Sequence, residues 1–214
     1  SSRRVRSDKV FVVPNGANTK LFRPISATRA VSCQGEITVG YVGTHGMAHG
    51  LDFVLGVARK EPAIRFLFVG EGAEKERLVR LTGNLHNVEF LDPVPKTEIP
   101  NILSSLDYAL VNLKDTPTFR TVIPSKIFES AAMGVPILIG VDGEAREIIE
   151  TYGAGLFYEP ENPDSFRAVL KHARAIRETS DYETLKHGCR RLAAAYDRRT
   201  LADEMLKIME TLQR

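Results

Sequence analysis

Several protein classes can be set aside because the sequence lacks their features. It has only two cysteines, Cys33 and Cys189, which lie far apart. Such a pair gives neither a disulfide framework nor metal-ligand spacing, and it fits a reducing compartment. No apolar run approaches the roughly 20 residues that a membrane-spanning helix needs, and no signal peptide is visible. We therefore expect a cytoplasmic protein.

The chain also lacks a marked excess of either charge. Lys and Arg number 29 against 27 for Asp and Glu, a net charge of +2, so no nucleic-acid partner is expected. The exception is a basic cluster formed by Arg3, Arg4, Arg6 and Lys9, for which a solvated leading segment is favoured over a phosphate or membrane contact. The chain begins with Ser-Ser rather than Met, which suggests a fragment of a longer protein.

Short apolar runs alternate with longer amphipathic stretches along most of the chain. Most of the runs are continuous rather than alternating, which is typical of parallel strands buried on both faces. The predicted strands are Ile37–Val42, Ile64–Val69, Val88–Leu91, Tyr108–Leu113, Ile137–Gly140 and Gly155–Tyr158. The predicted helices are Leu51–Ala58, Ala73–Thr82, Ile99–Leu106, Ser125–Met133, Glu144–Tyr152, Asp164–Arg177, Asp181–Tyr196 and Thr200–Leu212. This order predicts an α/β fold with a doubly wound, Rossmann-like parallel sheet and extra C-terminal helices.

In such a sheet, ligands bind where loops leave the carboxyl ends of the strands. The first of these loops, Gly43 to Gly50, is glycine-rich and follows a strand. It could bring its backbone close to a phosphate, or it could be an ordinary turn, since it matches neither a dinucleotide nor a Walker motif. His45 and His49 could donate to phosphate or be exposed polar residues; no third metal ligand lies near them.

The second loop, Gly70-Glu71-Gly72-Ala73-Glu74, has only two glycines in its motif. We interpret it as a tight strand-to-helix turn whose acidic residues complement the helix dipole, with the glycines leaving space for a ligand.

The third loop leads into the helix that begins at Ser125, a plausible N-cap residue. Lys126 then places an ammonium in the first turn, where the helix dipole disfavours a cation, and this indicates that an anion also binds there. Glu129 lies about one turn further on. Two interpretations of Glu129 stay open: an ion pair with Lys126 worth about 0.3–0.5 kcal/mol, or a carboxylate that accepts ribose hydroxyl groups.

The segment from Pro124 to Pro136, PSKIFESAAMGVP, resembles the donor-site helix of retaining family-4 glycosyltransferases, which have the two-domain GT-B fold. Further similar motifs follow in the expected order along almost the whole chain: Pro14-Asn15-Gly16-Ala17-Asn18, Phe22-Arg23-Pro24, Val42-Gly43, Val69-Gly70-Glu71-Gly72, Val88-Glu89-Phe90-Leu91 and Gly153-Ala154-Gly155-Leu156. The resemblance implies the C-terminal, donor-binding half of such an enzyme.

The resemblance also implies roles for individual residues. Glu129 matches the family's second motif glutamate, which binds the ribose, and Lys126 would lie beside the diphosphate; these two are the implied catalytic residues. The implied donor-binding set adds the phosphate-approaching loop, the nucleobase border and the sugar border: Gly43, Thr44, His45, Gly46, Gly70, Val94, Pro95, Thr121, Val122, Ile123, Pro124 and Ser125. No Asp-x-Asp motif is present, and GT-B enzymes generally need no metal, so no metal or cofactor is expected.

Two departures from the family pattern affect the donor. Thr121 stands where the first motif glutamate would contact sugar hydroxyls. The usual phosphate-binding Arg and Lys of the first loop are replaced by Thr44 and His49. With both departures and the Pro-Ser-Lys-x-Phe-Glu motif, the sequence resembles a bacterial subgroup of the family that transfers N-acetylated aminosugars, including fucosamine-type ones. They imply an N-acetylated or deoxy aminosugar donor, most simply a UDP-sugar.

The domain interpretation divides the chain into three parts. Residues 1–24 are expected to be the tail of a preceding domain and a linker, with 25–195 as the Rossmann-like domain. Residues 196–214 are expected to be a helix that crosses toward the missing N-terminal domain. That domain would hold a glycan or lipid-linked acceptor, so this chain alone would be inactive.

The expected function is retaining sugar transfer in surface polysaccharide synthesis, such as that of lipopolysaccharide. The full-length enzyme is expected to associate peripherally with the inner face of the plasma membrane. The alternatives are a GT-B sugar-nucleotide epimerase and a non-catalytic nucleotide-binding module.

Overall fold

The computed structural model describes residues 10–25 and 36–212. The basic cluster at Arg3 to Lys9, the polar stretch Ala27–Gly35 and Cys33 lie outside this part. The six strands are Ile37–Val42 (β1), Ile64–Val69 (β2), Val88–Leu91 (β3), Tyr108–Asn112 (β4), Ile137–Gly140 (β5) and Gly155–Phe157 (β6). The eight described helices are Leu51–Ala58 (α1), Lys75–Thr82 (α2), Ile99–Ser104 (α3), Lys126–Ala132 (α4), Glu144–Tyr152 (α5), Pro163–Ile176 (α6), Ser180–Ala195 (α7) and Arg198–Leu212 (α8).

The strands form one sheet in the order β3-β2-β1-β4-β5-β6, and every neighbouring pair is parallel. The predicted doubly wound α/β fold is therefore confirmed. After β3 the chain returns to the middle of the sheet and adds β4 on the other side of β1, so the topological switch point lies between the carboxyl ends of β1 and β4. Ligands of such sheets bind in the crevice at this point.

Apolar side chains cover both faces of the sheet, which is why the strands read as continuous apolar runs. Successive residues of a strand point to opposite faces: Leu110 packs with the helices of one layer and Val111 with those of the other. The first layer includes α1 and α6, and the second includes α4 and α7. The described helices include none that is both long and apolar enough to cross a membrane.

Part of the segment predicted as a tail and linker packs tightly on this domain. Ala17 and Phe22 are buried, and the Ala17 N–H donates to the Tyr196 carbonyl at 3.0 Å. Gly16 has no room for a side chain because a Cβ there would overlap the Tyr196 oxygen. Val10 to Val13, by contrast, form no regular element, and Val12 is 84% exposed. Residues 16–22 therefore pack against the junction of α7 and α8. The domain boundary at residue 24 stays a prediction.

Candidate functional site

The glycine-rich loops that follow β1 and β2 pack against each other, backbone to backbone. A Cβ on Gly70 would overlap the carbonyl oxygen of Gly43, and a Cβ on Gly72 would lie 2.5 Å from that of His45. The His45 N–H donates to the Glu71 carbonyl at 2.8 Å. The second loop is a tight turn, as predicted. The space that its glycines leave is taken by the first loop, however, so the expectation that they make room for a ligand is wrong.

The acidic side chain of the second loop serves the loop itself. Glu71 accepts the N–H of Gly72 at 3.1 Å and lies 3.3 Å from the Lys75 ammonium. Lys75 also contacts Asp92 at 2.7 Å. These contacts hold the start of α2 in place, so neither Glu71 nor Lys75 is a free charge facing the switch point.

His45 is fully buried, which rules out the second of its two open interpretations, that of an exposed polar residue. Its ring lies 5.7 Å from the Phe90 ring and 5.9 Å from the Tyr41 ring, centroid to centroid. Both ring nitrogens lack a hydrogen-bond partner among the described residues. Burial, with a smaller contribution from Lys75, lowers the His45 pKa to about 4, so the imidazole is neutral at pH 7. A role of His45 toward phosphate stays a prediction.

Lys126 extends from the start of α4 across the switch point to β1. Its Nζ lies 3.7 Å from the centroid of the Tyr41 ring, and it is buried without a hydrogen-bond partner in the part of the chain that the structure describes. Burial lowers the Lys126 pKa to about 7, although the Glu129 carboxylate acts in the opposite direction. A buried amine with no bound counter-charge is what a site for an anion requires.

Gly43 and Tyr41 shape the space around this amine. A Cβ on Gly43 would lie 2.9 Å from the Lys126 Nζ and would displace the end of that side chain, and the backbone φ there, +144°, favours glycine. The Tyr41 hydroxyl donates to the Thr44 carbonyl at 2.7 Å. Tyr41 thus supports the ammonium with its ring and the first loop with its hydroxyl. His49 also packs on Tyr41, and burial and Lys126 lower its pKa.

Glu129 does not pair with Lys126, so the first of its two open interpretations is wrong. Its carboxylate contacts the Lys96 ammonium at 3.3 Å, and its side chain is 20% exposed. Glu129 and Lys126 line a cavity of about 20 Å³ above β1 and β4. That volume holds roughly one water molecule. Ser125 stands at the N-cap position as predicted, but its hydroxyl makes no capping hydrogen bond.

The two predicted border segments lie at the surface beside these groups. Thr121 ends a 3-10 turn, Phe119–Thr121, and its hydroxyl donates to the Thr118 carbonyl at 3.0 Å. The residues that follow, Val122, Ile123 and Pro124, lead directly into α4. Val94 and Pro95 lie in the loop between β3 and α3, and the Lys96–Glu129 contact brings that loop to α4. Thr44 is exposed and Gly46 partly exposed in the first loop.

Three residues of the site were not singled out from the sequence: Tyr41, Lys96 and Asn112. Asn112 is 1% exposed; its amide donates to the His49 carbonyl at 2.6 Å, and its oxygen accepts from the Tyr158 hydroxyl at 2.7 Å. A lone amide at the end of an apolar strand is the one available sequence signal. Lys96 carries no such signal, because an exposed loop lysine is ordinary.

No group of three His, Cys, Asp or Glu side chains that could hold a metal ion occurs within residues 10–25 and 36–212. Charged side chains near the switch point include Lys126, Glu129 and Lys96. The strand order and the loops at this edge place the chain in the Rossmann-like α/β class.

Comparison with known proteins gives the family. Residues 28–187 match the family described as "Glycosyl transferases group 1", and the chain belongs to it. It is 27% identical over 210 residues to the putative teichuronic acid biosynthesis glycosyltransferase TuaH of Bacillus subtilis (strain 168), covering 94% of this chain and 50% of that protein. The chain therefore spans half the length of this curated relative.

Two solved structures share the fold at low sequence identity. A glycosyltransferase from Rickettsia africae ESF-5 superposes with a TM-score of 0.82 at 17% identity, covering 98% of this chain and 59% of that one. Anabaena HepE in complex with UDP superposes with a TM-score of 0.78 at 16% identity, covering 96% and 58%. The fold thus matches that of GT-B glycosyltransferase structures over slightly more than half of each.

Proposed function

We propose that this chain is the donor-binding half of a retaining glycosyltransferase and binds a nucleoside diphosphate sugar, UDP-linked in the simplest case, at the switch point between β1 and β4. The observation that carries the proposal is the Lys126 Nζ, which is buried at that point without a hydrogen-bond partner among residues 10–25 and 36–212. A diphosphate there would supply the missing counter-charge. Family membership and the UDP complex of HepE support this ligand class.

Two residues of α4 would contact different parts of the ligand. Lys126 faces Gly43 and the first loop, where a diphosphate would lie, and would stabilise the negative charge that develops on the leaving diphosphate. Glu129 lies one turn further along the helix and is 20% exposed, so its carboxylate could accept hydrogen bonds from the ribose hydroxyl groups. Val94 and Pro95 would border the nucleobase, and the loop from Thr121 to Pro124 would border the sugar. The backbone of Gly43 and Gly46 would contribute to the phosphate side.

We further propose that the donor carries a modified sugar, on the basis of Thr121. Thr121 is exposed, and its hydroxyl is engaged within its own turn. At this position, the glutamate by which related enzymes would bind sugar hydroxyls is replaced by a short, neutral side chain. This favours a donor with fewer free hydroxyls at that end, such as an N-acetylated or deoxy aminosugar, over an unmodified hexose.

The acceptor side would come from the remainder of a longer protein. The chain covers 50% of TuaH, and Met205, Leu206 and Met209 of α8 are 48–56% exposed. We propose that these residues pack on an N-terminal domain that binds a glycan or lipid-linked acceptor. Such an acceptor would bring the enzyme to the inner face of the plasma membrane. The 214-residue chain is then expected to bind nucleotide without transferring sugar.

Calorimetry of the chain with UDP, GDP and ADP tests the ligand class directly. A hydrogen-bonded carboxylate is worth about 1.5–3 kcal/mol, so Glu129→Ala should weaken nucleotide binding roughly 10- to 100-fold. Glu183→Ala is the matched control, because Glu183 also pairs with a lysine, at 2.9 Å from Lys186. If none of the three nucleotides binds, the proposal fails. If Glu129→Ala behaves like the control, Glu129 is not part of the site.

A further inference from the structure

Lys96 joins three parts of the molecule that are distant in sequence. It lies in the loop between β3 and α3, directly after Val94 and Pro95. Its ammonium is 3.3 Å from the Glu129 carboxylate of α4 and 5.7 Å from the centroid of the Phe22 ring, which belongs to the N-terminal segment. The loop expected to border the nucleobase is thereby tied to the carboxylate expected to bind the ribose.

This contact contributes little to folding. The Lys96 side chain is 59% exposed, and ion pairs between solvent-exposed groups are screened by water and salt. The contact instead determines the direction in which the Glu129 carboxylate points. Lys96 contacts Oε1 of Glu129, so the carboxylate is drawn toward the β3–α3 loop, while its second oxygen remains available as an acceptor.

The alternative partner for Glu129 is Lys126, three residues earlier on the same helix. Side chains at that spacing are neighbours and pair readily when their charges are opposite. In the structure, the Lys126 Nζ instead lies on the Tyr41 ring without a hydrogen-bond partner among the described residues. A Glu129–Lys126 pair would neutralise both of the groups that the ligand needs.

We propose that Lys96 is a positioning residue that holds Glu129 away from Lys126, so that the carboxylate stays available to the ribose and the ammonium to the diphosphate. This inference rests on the proposed function. Lys96 acts through Glu129 rather than through the ligand. Its removal should therefore allow Glu129 to turn toward Lys126, which is also faced by Tyr41, His45 and His49 from the β1 side.

The test is a double-mutant cycle measured by calorimetry with UDP on the 214-residue chain. We expect Lys96→Met to weaken binding about 5- to 10-fold and Lys96→Arg to restore it to within about 2-fold of wild type. In a Glu129→Gln background, Lys96→Met should change affinity by less than about 2-fold, because residues that act through one another are not additive.

Lys186→Met is the matched control. Lys186 pairs with Glu183 at 2.9 Å and lies 5.8 Å from the centroid of an aromatic ring, that of Tyr182, so it reproduces both contacts of Lys96 on α7. UDP affinity should be unchanged in this variant. Loss of affinity equal to that of Lys96→Met would show that the effect is general, and would overturn the inference.

A pH series separates positioning from simple attraction of the ligand. If Glu129 turns to Lys126 in Lys96→Met, the decline of UDP affinity with rising pH should move to higher pH, because a nearby carboxylate stabilises the protonated amine. An unshifted profile, or a Lys96→Met effect that persists unchanged in the Glu129→Gln background, overturns the inference but leaves the proposed function intact. Absence of UDP, GDP and ADP binding by the wild-type chain overturns the proposed function and this inference with it.

Discussion

Lys126 occupies a position that disfavours its own charge. Its Nζ is buried near the start of a helix and has no hydrogen-bond partner in the described part of the chain, and burial lowers its pKa to about 7. In an unfolded chain the amine has a pKa near 10.4. Such a residue lowers stability in exchange for a site that is ready for an anion, which is the usual compromise at functional positions.

Replacing Lys126 should therefore stabilise the empty protein. Between pH 7 and about 10.4 the unfolded chain holds the proton more tightly than the folded one, so this group makes stability rise with pH. At pH 7 we expect Lys126→Met to raise Tm by roughly 2–4 °C, the shift for about 1 kcal/mol in a domain of this size. The gain should shrink as pH approaches 10. Differential scanning calorimetry at several pH values measures it; a lower Tm at pH 7 would contradict this account.

Nucleotide binding should show the complementary pH dependence. The free protein loses the Lys126 proton above about pH 7, whereas a bound diphosphate favours the protonated amine. UDP affinity should fall between pH 7 and 9, by up to about tenfold per unit, with proton uptake on binding. Calorimetry in buffers of different ionisation enthalpy measures that uptake. The dependence should be absent from Lys126→Met, and its survival there would assign it to another group.

Among the elements, the two glycine-rich loops act as one unit. Gly70 and Gly72 allow the β2 loop to lie on the backbone of the β1 loop, and the Asn112 amide holds the far end of that loop through His49. The first loop is thus positioned by β2 and β4 together. A ligand at the switch point would meet a loop whose shape is already fixed.

Gly70→Ala should lower the stability of these packed loops by more than the cost of a positive φ alone. A Cβ there would overlap the Gly43 carbonyl oxygen, in addition to the cost of a φ of +140°. Gly83→Ala is the matched control, since Gly83 also has positive φ, +56°, but nothing lies within 4 Å of its added Cβ. We expect about 1 kcal/mol of destabilisation for Gly83→Ala and at least twice that for Gly70→Ala, by urea denaturation. Equal effects would mean that the two loops do not depend on close packing.

For the whole molecule, the exposed apolar face of α8 is the feature that this chain by itself leaves unexplained. Leu201 of the same helix is buried against the domain, whereas Leu206 is 56% exposed. The N-terminal segment at Val10, Phe11 and Val12 is exposed as well. An exposed apolar face on one helix commonly marks an interface.

Leu206→Glu is expected to leave the Tm of the 214-residue chain unchanged within about 2 °C and to reduce sugar transfer by the longer protein. The reason is that an exposed substitution costs little, within about 0.5 kcal/mol, whereas a charge buried at an interface is costly. Lys207→Glu introduces the same side chain at the adjacent exposed position and should have the smaller effect on transfer. Comparable losses in both variants would argue against an interface centred on Leu206.

The sequence by itself determined the elements of this protein and their order. Each described strand or helix leaves a local pattern in the sequence, a continuous apolar run for most strands and a helical repeat of apolar residues for the helices. The predictions for β1, β2 and α5 therefore match the structure residue for residue. The loops that could carry a site followed from the same pattern, because ligand sites lie at the carboxyl ends of parallel strands. Lys126 could be noticed because its conflict with the helix dipole is local.

Only the tertiary structure decided which groups meet. That Lys126 rests on Tyr41 follows from β4 lying beside β1, and that Glu129 pairs with Lys96 follows from how the β3–α3 loop folds over α4. His45 is buried because Phe68 and Phe90, from two other strands, close around it. Periodicity reports the environment of a residue along its own element. It carries no information on which distant side chain fills the space opposite.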